Sequence, residues 1–439
     1  INEEWLADKS RHATDGLMRQ RLDRPYVRVD GRLRAATWAQ ALASAAERLR
    51  ATSPERIGVI AGDLVDAEQM KAALDLFGGL GVESLDCRQD GMKLGAGPRE
   101  SWLFNTTIAG VEKADALLLV GTNPRKEAPI LNQRIRKAWA QDKLRVAAVG
   151  EPAELTYGYD QLGAGPASLQ RLGETDFGKA FTKAERPMVI VGAGALSRPD
   201  GAAVAALAAG LHPGLVADGW NGWNVLHTAA SRVGGLDLGF IPRGNGRDVA
   251  GMLDAAEAGE LDVVVLMGAD EIDTRRLGRA FVIYMGHHGD AGANRADLIL
   301  PGGAYTEKPG TYVNTEGRVQ RAQRAIFPKG EAKEDWAILR ALSAELGRTL
   351  PYDTVDQLRT RMIEDHPTFG QVGYAPGAST AAGFDLKAAF SGGGEVSDAP
   401  FKSPVKDYYL TNPIARASVT MAECSAVVAN AGRPLMAAE

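Results

Sequence analysis

The segment "LDVVVLMG", residues 261–268, decides the fold class of this 439-residue chain. It is a continuous apolar run that ends in glycine. The same pattern recurs in "RIGVIAG" (56–62), "DALLLVG" (115–121) and "RPMVIVG" (186–192), and further strand candidates are "KLRVAAVG" (143–150) and "RAFVIYMG" (279–286). Continuous apolar runs, in contrast to alternating ones, are typical of strands that are covered on both faces.

Segments with helical periodicity separate these runs. "EAPILNQRIRKAW" (127–139) places apolar side chains at four-residue spacing from Leu131 to Trp139, and Arg134 lies off this stripe and is predicted to be solvated. A second helix is predicted in "EDWAILRALSAELG" (334–347). Strands that alternate with helices predict an α/β fold with parallel sheets and crossover helices.

Composition excludes several classes of protein. The net charge of −5 gives no basic excess for binding nucleic acid. The two cysteines, Cys87 and Cys424, exclude a disulfide scaffold, and they are too few for an iron–sulfur or structural zinc site. The sequence contains no run of about 20 apolar residues, which a membrane-spanning helix would need.

The chain is too long for a single core, so we expect several units. We predict an extended lead-in over residues 1–40, a first α/β lobe from 41–100 and 262–350, a second lobe over 101–261, and a C-terminal extension over 351–439. Within the extension, residues 373–400 are rich in Gly, Ala, Ser and Pro and are predicted to be a surface loop. Because the chain begins with Ile1 and not Met, we expect it to start inside a longer polypeptide.

Two glycines after a predicted strand suggest nucleotide binding. "VGAGALSRPDG" has Gly192 and Gly194, but Ser197 stands where a dinucleotide fingerprint has its third glycine. Asp218 lies at the distance expected of a ribose-binding acid, in a sequence context typical of a loop. A tight turn between strand and helix is therefore favoured over a nucleotide site.

Three other places carry polar or reactive side chains. His287, His288 and Asp290 follow a predicted strand and suggest either a metal site or a loop whose imidazoles bond to the backbone. Cys87 has Arg88 beside it, which would favour a thiolate, yet no nucleophile motif surrounds it, so a buried inert thiol is favoured.

"VGTNPRKEAP" places Asn123, Pro124 and Arg125 just beyond a predicted strand. Ligands of open α/β sheets bind at the carboxyl ends of strands, so these residues are suitable for a phosphate or ribose contact. The same residues are equally typical of a helix N-terminus with asparagine as its cap.

Several long segments, taken together, resemble one superfamily. "ADALLLVGTNPRKEAPILNQRIRK", "LRVAAVGEPAELTYGYDQLG" and "RADLILPGGAYTEKPGTYVNTEGRVQR" are similar, in this order, to the molybdopterin-containing oxidoreductases. "INEEWLADKSRHATDGLMRQRL", "GHHGDAGANRADLILPGGAYTEK", "EDWAILRALSAELGRTLPYDT" and "KDYYLTNPIARASVTMAEC" resemble the family of the large iron–sulfur subunit of respiratory complex I.

The resemblance implies a molybdopterin-oxidoreductase-like fold of two interleaved α/β lobes. It also implies that the 2Fe–2S and 4Fe–4S clusters of the family belong to an N-terminal part outside these residues. We expect no molybdopterin, and we assign no catalytic, cofactor-binding or metal-binding residue. The chain would be a redox-silent scaffold that contacts other peripheral-arm subunits of an NADH-oxidising, quinone-reducing, proton-translocating complex. That complex would lie at the cytoplasmic face of a bacterial inner membrane, or on the matrix side in mitochondria.

Two other functions stay open at this point. The chain could be the large part of an active molybdenum or tungsten oxidoreductase such as a formate dehydrogenase, because a fold alone does not define an activity. It could also be a nucleotide-binding α/β protein. Elemental analysis and titration with NADH distinguish these alternatives from the scaffold.

The segment "LPGGAYTEKPGTYVNTEGRVQR" (300–321) lies beside the cofactor groove in the active enzymes that it resembles. Here we predict tight turns at Gly310 and Gly317, a short strand over 311–314, and pairing or space-filling roles for Glu307 and Arg318. A fold that formerly held a large cofactor must fill its cavity. We expect Trp220, Trp223, His287 and Arg318 to help fill it.

Overall fold

The computed structural model describes residues 4–95, 97–376, 383–391 and 394–430. Of the loop predicted over 373–400, residues 377–382 and 392–393 lie outside the described residues. The described remainder of that loop contains one short helix, Leu386–Ala389. Among the described residues, no helix is both long and apolar enough to cross a membrane.

Within the described chain, seven strands form the first sheet, in the order β2-β1-β14-β13-β12-β3-β4. Its strands are β1 (Tyr26–Val29), β2 (Arg32–Ala35), β3 (Ile57–Ala61), β4 (Ser84–Asp86), β12 (Val263–Met267), β13 (Phe281–Gly286) and β14 (Leu298–Pro301). The central strands run parallel, and Val265 pairs with Val59 on one side and with Ile283 on the other. Every residue of β3 and β12 is buried, which confirms the strands predicted from the continuous apolar runs.

The second sheet has the order β11-β8-β5-β6-β7, and its pairs of strands are parallel. Its strands are β5 (Ala116–Val120), β6 (Arg145–Val149), β7 (Asp160–Gly163), β8 (Pro187–Val191) and β11 (Trp223–Val225). The short hairpin β9 (Val216–Ala217) and β10 (Trp220–Asn221) precedes β11. The chain thus leaves the first sheet after β4, builds the second sheet, and returns at β12.

Helices cover the sheets. In the described residues they are α1 (Asp8–His12), α2 (Trp38–Arg50), α3 (Ala67–Ala73), α4 (Pro124–Glu127), α5 (Pro129–Trp139), α6 (Pro166–Gln170), α7 (Asp176–Phe181), α8 (Ala193–Leu196), α9 (Gly201–Ala209), α10 (Arg232–Leu238), α11 (Val249–Glu257), α12 (Ala291–Arg295), α13 (Asp335–Glu345), α14 (Val355–Asp365), α15 (Leu386–Ala389), α16 (Pro413–Ala417) and α17 (Val419–Asn430). Both helices predicted from periodicity, α5 and α13, are confirmed. One core cluster joins residues of the two sheets, including Val59 and Val189.

Two details differ from the expectations. Arg134 of α5 is buried, with 7% exposure, and its Nη1 donates to Glu112 Oε1 at 2.7 Å, so the prediction of a solvated side chain is wrong. An ion pair allows a guanidinium to lie under apolar surface. Residues 1–40, expected as an extended lead-in, contribute α1, β1, β2 and the start of α2, while the division of the chain into lobes stays a prediction.

The segment 300–321 forms the end of β14 and a hairpin of β15 (Gly310–Val313) and β16 (Val319–Ala322). Gly317 has φ of +82°, which confirms a tight turn there. Gly310 is part of β15, where a Cβ would lie 3.2 Å from Asp66 Cβ, so close packing and not a turn accounts for this glycine. The hairpin turn contacts the second sheet, because Thr315 accepts from Phe104 N at 2.8 Å and donates through its hydroxyl to Val225 O at 3.1 Å.

Candidate functional site

A cleft of about 540 Å³ lies where the carboxyl ends of the two sheets meet. Loops that follow strands of the first sheet contribute Asp63, Leu64, Gln89, Asp90 and Glu271, and segments that follow strands of the second contribute Lys126, Glu127, Ser197 and Thr228. Such a crevice is the usual ligand-binding position of open α/β sheets. It is therefore the candidate site.

The C-terminal segment closes the cleft from above. Its residues Pro404, Val405, Lys406, Asp407, Leu410, Thr411, Asn412 and Arg416 line the cavity, together with Lys9 of α1. We call residues 397–416 the strap.

The strap is bonded on both sides of the cleft. Arg198, which follows β8 of the second sheet, donates to the carbonyls of Ser397, at 3.0 Å, and Ala399. Arg416 of the strap bonds Glu271 at 2.8 Å and Asp290 at 2.6 Å, and these two acids follow strands of the first sheet. The strap therefore connects the two sheets across the cleft.

A buried arginine, Arg232, lies beneath the cleft and pairs with an acidic residue that lines it. Arg232 of α10 is 1% exposed, and its Nη1 lies 2.9 Å from Asp90 Oδ1 while its Nε donates to Cys87 O at 3.1 Å. A buried guanidinium needs such partners, since an unpaired charge in the interior is costly. Arg232 also lies 4.0 Å from Asp63, the carboxylate that follows β3.

Two carboxylates that line the cleft, Asp63 and Glu271, have pKa values above their usual range. Burial and the nearby Glu271 carboxylate raise the pKa of Asp63 to about 7, although the Arg232 guanidinium opposes the shift. Burial also raises the pKa of Glu271, against the favourable charge of Arg416. Perturbed carboxylates in a crevice indicate a functional site, although structural ion pairs shift pKa values in the same way.

The glycines of the suggested nucleotide motif have a packing role. A Cβ on Gly192 would lie 2.5 Å from Thr122 Cβ, and one on Gly194 would lie 2.6 Å from Lys402 O of the strap. Both glycines therefore permit close approach of neighbouring segments of the protein. Asp218 is exposed in the turn between β9 and β10 and is absent from the cleft lining.

The residues after β5 form a helix start. Asn123 Oδ1 caps α4 by accepting from Lys126 N at 3.4 Å, and Pro124 occupies the first turn. Arg125 is partly exposed and pairs with Glu154. Of this group, Lys126 lines the cleft.

Cys87 is an inert thiol. It is fully buried, and burial raises its pKa to about 12, because the nearby Arg232 and Arg88 guanidiniums do not compensate for the loss of solvent. Arg88 is engaged instead by Asp86, 2.7 Å away. The thiol therefore lacks the thiolate character that a nucleophile or metal ligand needs.

The two histidines bond to the backbone and to each other. His288 is fully buried, and its Nε2 contacts Gly16 O at 2.8 Å, which leaves its Nδ1 to accept from His287 Nδ1. Asp290 caps α12 and pairs with Arg416. Among the described residues, no group of three or more His, Cys, Asp or Glu could hold a metal ion.

The residues expected to fill the cavity lie elsewhere. Trp220, Trp223, His287 and Arg318 are absent from the cleft lining, so the strap and not these side chains closes the space. Trp223 is a buried residue of β11, and Trp220 is buried in the separate core cluster that contains Leu117 and Met188. Their indole N–H groups donate to the backbone carbonyls of Ser101 and Pro187, respectively.

Both charged residues predicted to pair in the segment 300–321 do so. Glu307 is fully buried and accepts two bonds, of 2.6 and 2.5 Å, from Arg21. Arg318 donates from Nε to buried Glu316 at 2.9 Å. Arg21 was not among the sequence candidates, and no local pattern distinguishes it from the other arginines near it.

Comparison with known proteins agrees with this architecture. The model of the family described as molybdopterin oxidoreductase matches residues 21–345. The chain belongs to the molybdopterin oxidoreductase family. A second model, for the C-terminal region of the G-type subunit of NADH-ubiquinone oxidoreductase, matches residues 376–424, which include the strap.

Curated relatives confirm the finer resemblance. The chain is 41% identical to the 78 kDa subunit of mitochondrial NADH-ubiquinone oxidoreductase from Neurospora crassa, over 97% of this chain and 58% of that protein. It is 40% identical to the corresponding subunit of Candida albicans, over 97% and 59%, and 40% identical to the G-type subunit of NADH-quinone oxidoreductase from Rickettsia bellii, over 97% and 60%. The chain thus spans about three fifths of the length of these relatives.

Solved structures confirm the predicted fold class. Acetylene hydratase from Pelobacter acetylenicus superposes with a TM-score of 0.51 at 11% identity, over 92% of this chain and 70% of that one. A chain of the formyltransferase/hydrolase complex from Methylorubrum extorquens gives 0.53 at 20% identity, over 73% and 98%. At these identities the likeness concerns the fold alone.

The cleft residues do not fit the dinucleotide form of molybdopterin. Five carboxylates line it (Asp63, Asp90, Glu127, Glu271 and Asp407) beside four cations (Lys9, Lys126, Lys406 and Arg416), so the lining has no cationic excess to bind a diphosphate. The strap forms part of the lining, and burial raises the pKa of the Cys87 thiol to about 12, which disfavours the thiolate that would ligate a metal.

Proposed function

We propose that this chain is the redox-silent, molybdopterin-oxidoreductase-like part of the iron–sulfur subunit of respiratory complex I. The observation that carries the proposal is the 40–41% identity, over 97% of this chain, to three subunits named for that complex. The complex would oxidise NADH, reduce quinone and translocate protons. Electrons would pass through 2Fe–2S and 4Fe–4S clusters held by residues outside this chain.

The cysteines support a scaffold without clusters. The chain has two of them, and Cys87 is buried, which raises its pKa to about 12 and disfavours the thiolate. Iron–sulfur clusters are held by groups of about four thiolates. The strap across the cleft and the absence of a cationic excess in its lining argue in the same direction against molybdenum or tungsten chemistry of the formate dehydrogenase type.

Exposed apolar side chains support partner subunits. Trp5 and Met18, near the start of the chain, are 66% and 61% exposed, and Val427 of α17 is 69% exposed. The first turns of the chain pack against α17, where Asp15 accepts from Val419 N at 2.9 Å. Contiguous exposed apolar residues are typical of protein interfaces, and we propose that the exposed residues of these packed segments form such a surface, which faces other peripheral-arm subunits at the cytoplasmic or matrix side of the membrane.

Affinity purification of the tagged protein from its native cells tests the proposal. The chain should co-purify with NADH:quinone oxidoreductase activity, and elemental analysis of the chain expressed alone should find neither molybdenum nor tungsten at stoichiometric levels. One molybdenum or tungsten per chain would establish the alternative, an active oxidoreductase of the formate dehydrogenase type. Saturable NADH binding to the chain alone would instead favour a nucleotide-binding protein.

A variant separates scaffolding from electron transfer. Arg318→Ala leaves the buried Glu316 with neutral donors, at a cost of about 1–3 kcal/mol. We expect a smaller assembled fraction, with unchanged cluster content in the complexes that do assemble. The exposed Arg321→Ala is the matched control and should assemble normally.

A further inference from the structure

A loop that follows β16 places an aromatic side chain in solvent. Phe327 is 77% exposed, the largest exposed fraction among the large hydrophobic side chains of the described residues. Ile326, beside it, is 47% exposed, and Tyr305 is 45% exposed. Tyr305 adjoins this loop, because the carbonyl of the next residue, Thr306, accepts from Ala325 N at 2.9 Å and from Ile326 N at 3.1 Å. The three exposed side chains therefore belong to neighbouring backbone segments.

Hydrogen bonds fix the loop at its other end as well. We call residues 323–329 the Phe327 loop. Directly after it, Ala332 N donates to Lys329 O at 3.0 Å, and Glu331 N donates to Asp23 O at 2.6 Å. The indole N–H of Trp38 donates to Glu331 O at 2.9 Å. A segment that is already held in one conformation loses little conformational entropy when it binds, so Phe327 is available for contact without rearrangement.

The Phe327 loop is cationic. Its sequence, "QRAIFPK", contains Arg324 and Lys329 and no carboxylate, although the whole chain has more acidic than basic residues. The Arg324 guanidinium lies 4.8 Å from the centroid of the Phe327 ring, and its distance of 3.7 Å from Glu334 is longer than a hydrogen bond. Lys329 has no ion pair within the part of the chain that the structure describes. Both cations are therefore available to an opposite charge.

This combination selects the kind of partner. Aromatic and arginine side chains are enriched among the residues that carry most of the binding energy of protein interfaces, and charges beside them choose partners of opposite sign. A second copy of the same surface would bring Arg324 and Lys329 against like charges. A membrane surface is recognised by clusters of about 4–8 basic residues, whereas the loop has two. An acidic protein surface fits better than either.

We propose that the Phe327 loop docks into an apolar pocket of another subunit, with carboxylates at the rim of the pocket that face Arg324 and Lys329. Phe327 and Ile326 enter the pocket, and the Arg324 guanidinium stays on the Phe327 ring. The inference rests on the proposed function and deepens it, because it names the residues and the chemistry of one contact with a partner subunit.

Photo-crosslinking in the native cells tests the proposal. The tagged protein carries Phe327→p-benzoylphenylalanine, the cells are irradiated, and the crosslinked peptides are sequenced by mass spectrometry. We expect one dominant crosslink to a different polypeptide, at apolar residues within a few positions of Asp or Glu. Asp176→p-benzoylphenylalanine is the control for random collisions, because the Asp176 side chain is 91% exposed on α7, and it should not give this product.

The outcomes separate this contact from the proposed function. A crosslink confined to this polypeptide or its copy, a crosslink to lipid, or a yield no higher than that of the control would overturn the docking surface. Co-purification with NADH:quinone oxidoreductase activity is measured in the same cells. If the activity co-purifies without an intersubunit crosslink, the docking surface alone is wrong; a crosslink to a polypeptide without that activity contradicts the proposed function.

A change of charge tests the rim of the pocket. In the photoreactive protein, Arg324→Glu should lower the crosslink yield by about tenfold or more, because it sets like charges against each other. Arg275→Glu is the matched control, since Arg275 is 89% exposed between β12 and β13, and it should leave the yield within about twofold. If Arg324→Glu lowers the thermal midpoint of the purified protein, Lys329→Glu decides: a lower yield supports the acidic rim and an unchanged yield contradicts it.

Discussion

The buried pair of Arg21 and Glu307 offers the sharpest test of how the N-terminal segment is held. The two side chains are 5% and 0% exposed and share bonds of 2.6 and 2.5 Å. In Arg21→Met the Glu307 carboxylate keeps one bond, from Ala304 N at 3.0 Å. Removing one partner of a buried ion pair costs about 3–5 kcal/mol, because the other charge stays behind unpaired.

Differential scanning calorimetry measures this cost. In domains of 150–250 residues, 1 kcal/mol shifts Tm by about 2–4 °C, so the transition that contains the first sheet should fall by at least about 6 °C. Arg24→Met is the matched control, because Arg24 and Asp23 are 48% and 37% exposed. An exposed pair contributes about 0–1 kcal/mol, so this variant should melt close to the parent protein.

A second substitution identifies the cause. Glu307→Leu in the Arg21→Met background removes the stranded carboxylate and should recover about half of the lost stability or more. Recovery should remain incomplete, because the Leu17 carbonyl has also lost its Arg21 donor and the His287 carbonyl has lost one of its two donors. The reasoning is refuted if Arg21→Met costs no more than Arg24→Met, or if the double variant is no more stable than the single one.

Three further predictions follow from burial and packing. Burial raises the pKa of Asp270 to about 6, so the neutral carboxyl is favoured in the fold. Relative to Asp270→Asn, the parent protein should lose about 2 kcal/mol of unfolding free energy as pH rises from 4 to 6, measured by denaturant titration. Gly194→Ala should loosen the strap and speed its cleavage in limited proteolysis, whereas Gly173→Ala, which meets no atom within 4 Å, should not. Native protein should react with one maleimide per chain, at the half-exposed Cys424, and Cys87 should react only after denaturation.

The central strands could be predicted because a strand that is buried on both faces consists of consecutive apolar residues, a pattern that is visible in the sequence. "LDVVVLMG" has no polar residue between Val263 and Gly268. Strands β1 and β2, on one side of the first sheet, were missed for the converse reason. In "YVRV" and "RLRA" partly or fully exposed arginines interrupt the apolar pattern, and exposed charges are common on an edge strand such as β2.

The cleft was partly within reach of sequence reasoning. Asp63, Gln89 and Glu271 each stand within a few residues of a strand end, where ligands of α/β sheets usually bind. Their position after the ends of strands, and not a known sequence motif, was the signal that could have identified these three residues. Arg232 lies within a helix far from these residues along the chain, so its place under the cleft depends on tertiary packing.

The two sheets are connected on two sides, and this explains why the segment 300–321 identifies the family without forming its active site. The turn of the β15–β16 hairpin bonds to β11 of the second sheet through Thr315, and Arg99 donates to Gly317 O at 3.1 Å. The strap is bonded on both sides of the cleft, by Arg198 and through Arg416. A cofactor that lies between two sheets helps to hold them together, whereas here protein contacts do so. A joint made of protein contacts suits a scaffold, and it confines any remaining ligand of the cleft to a molecule small enough to fit beneath the strap.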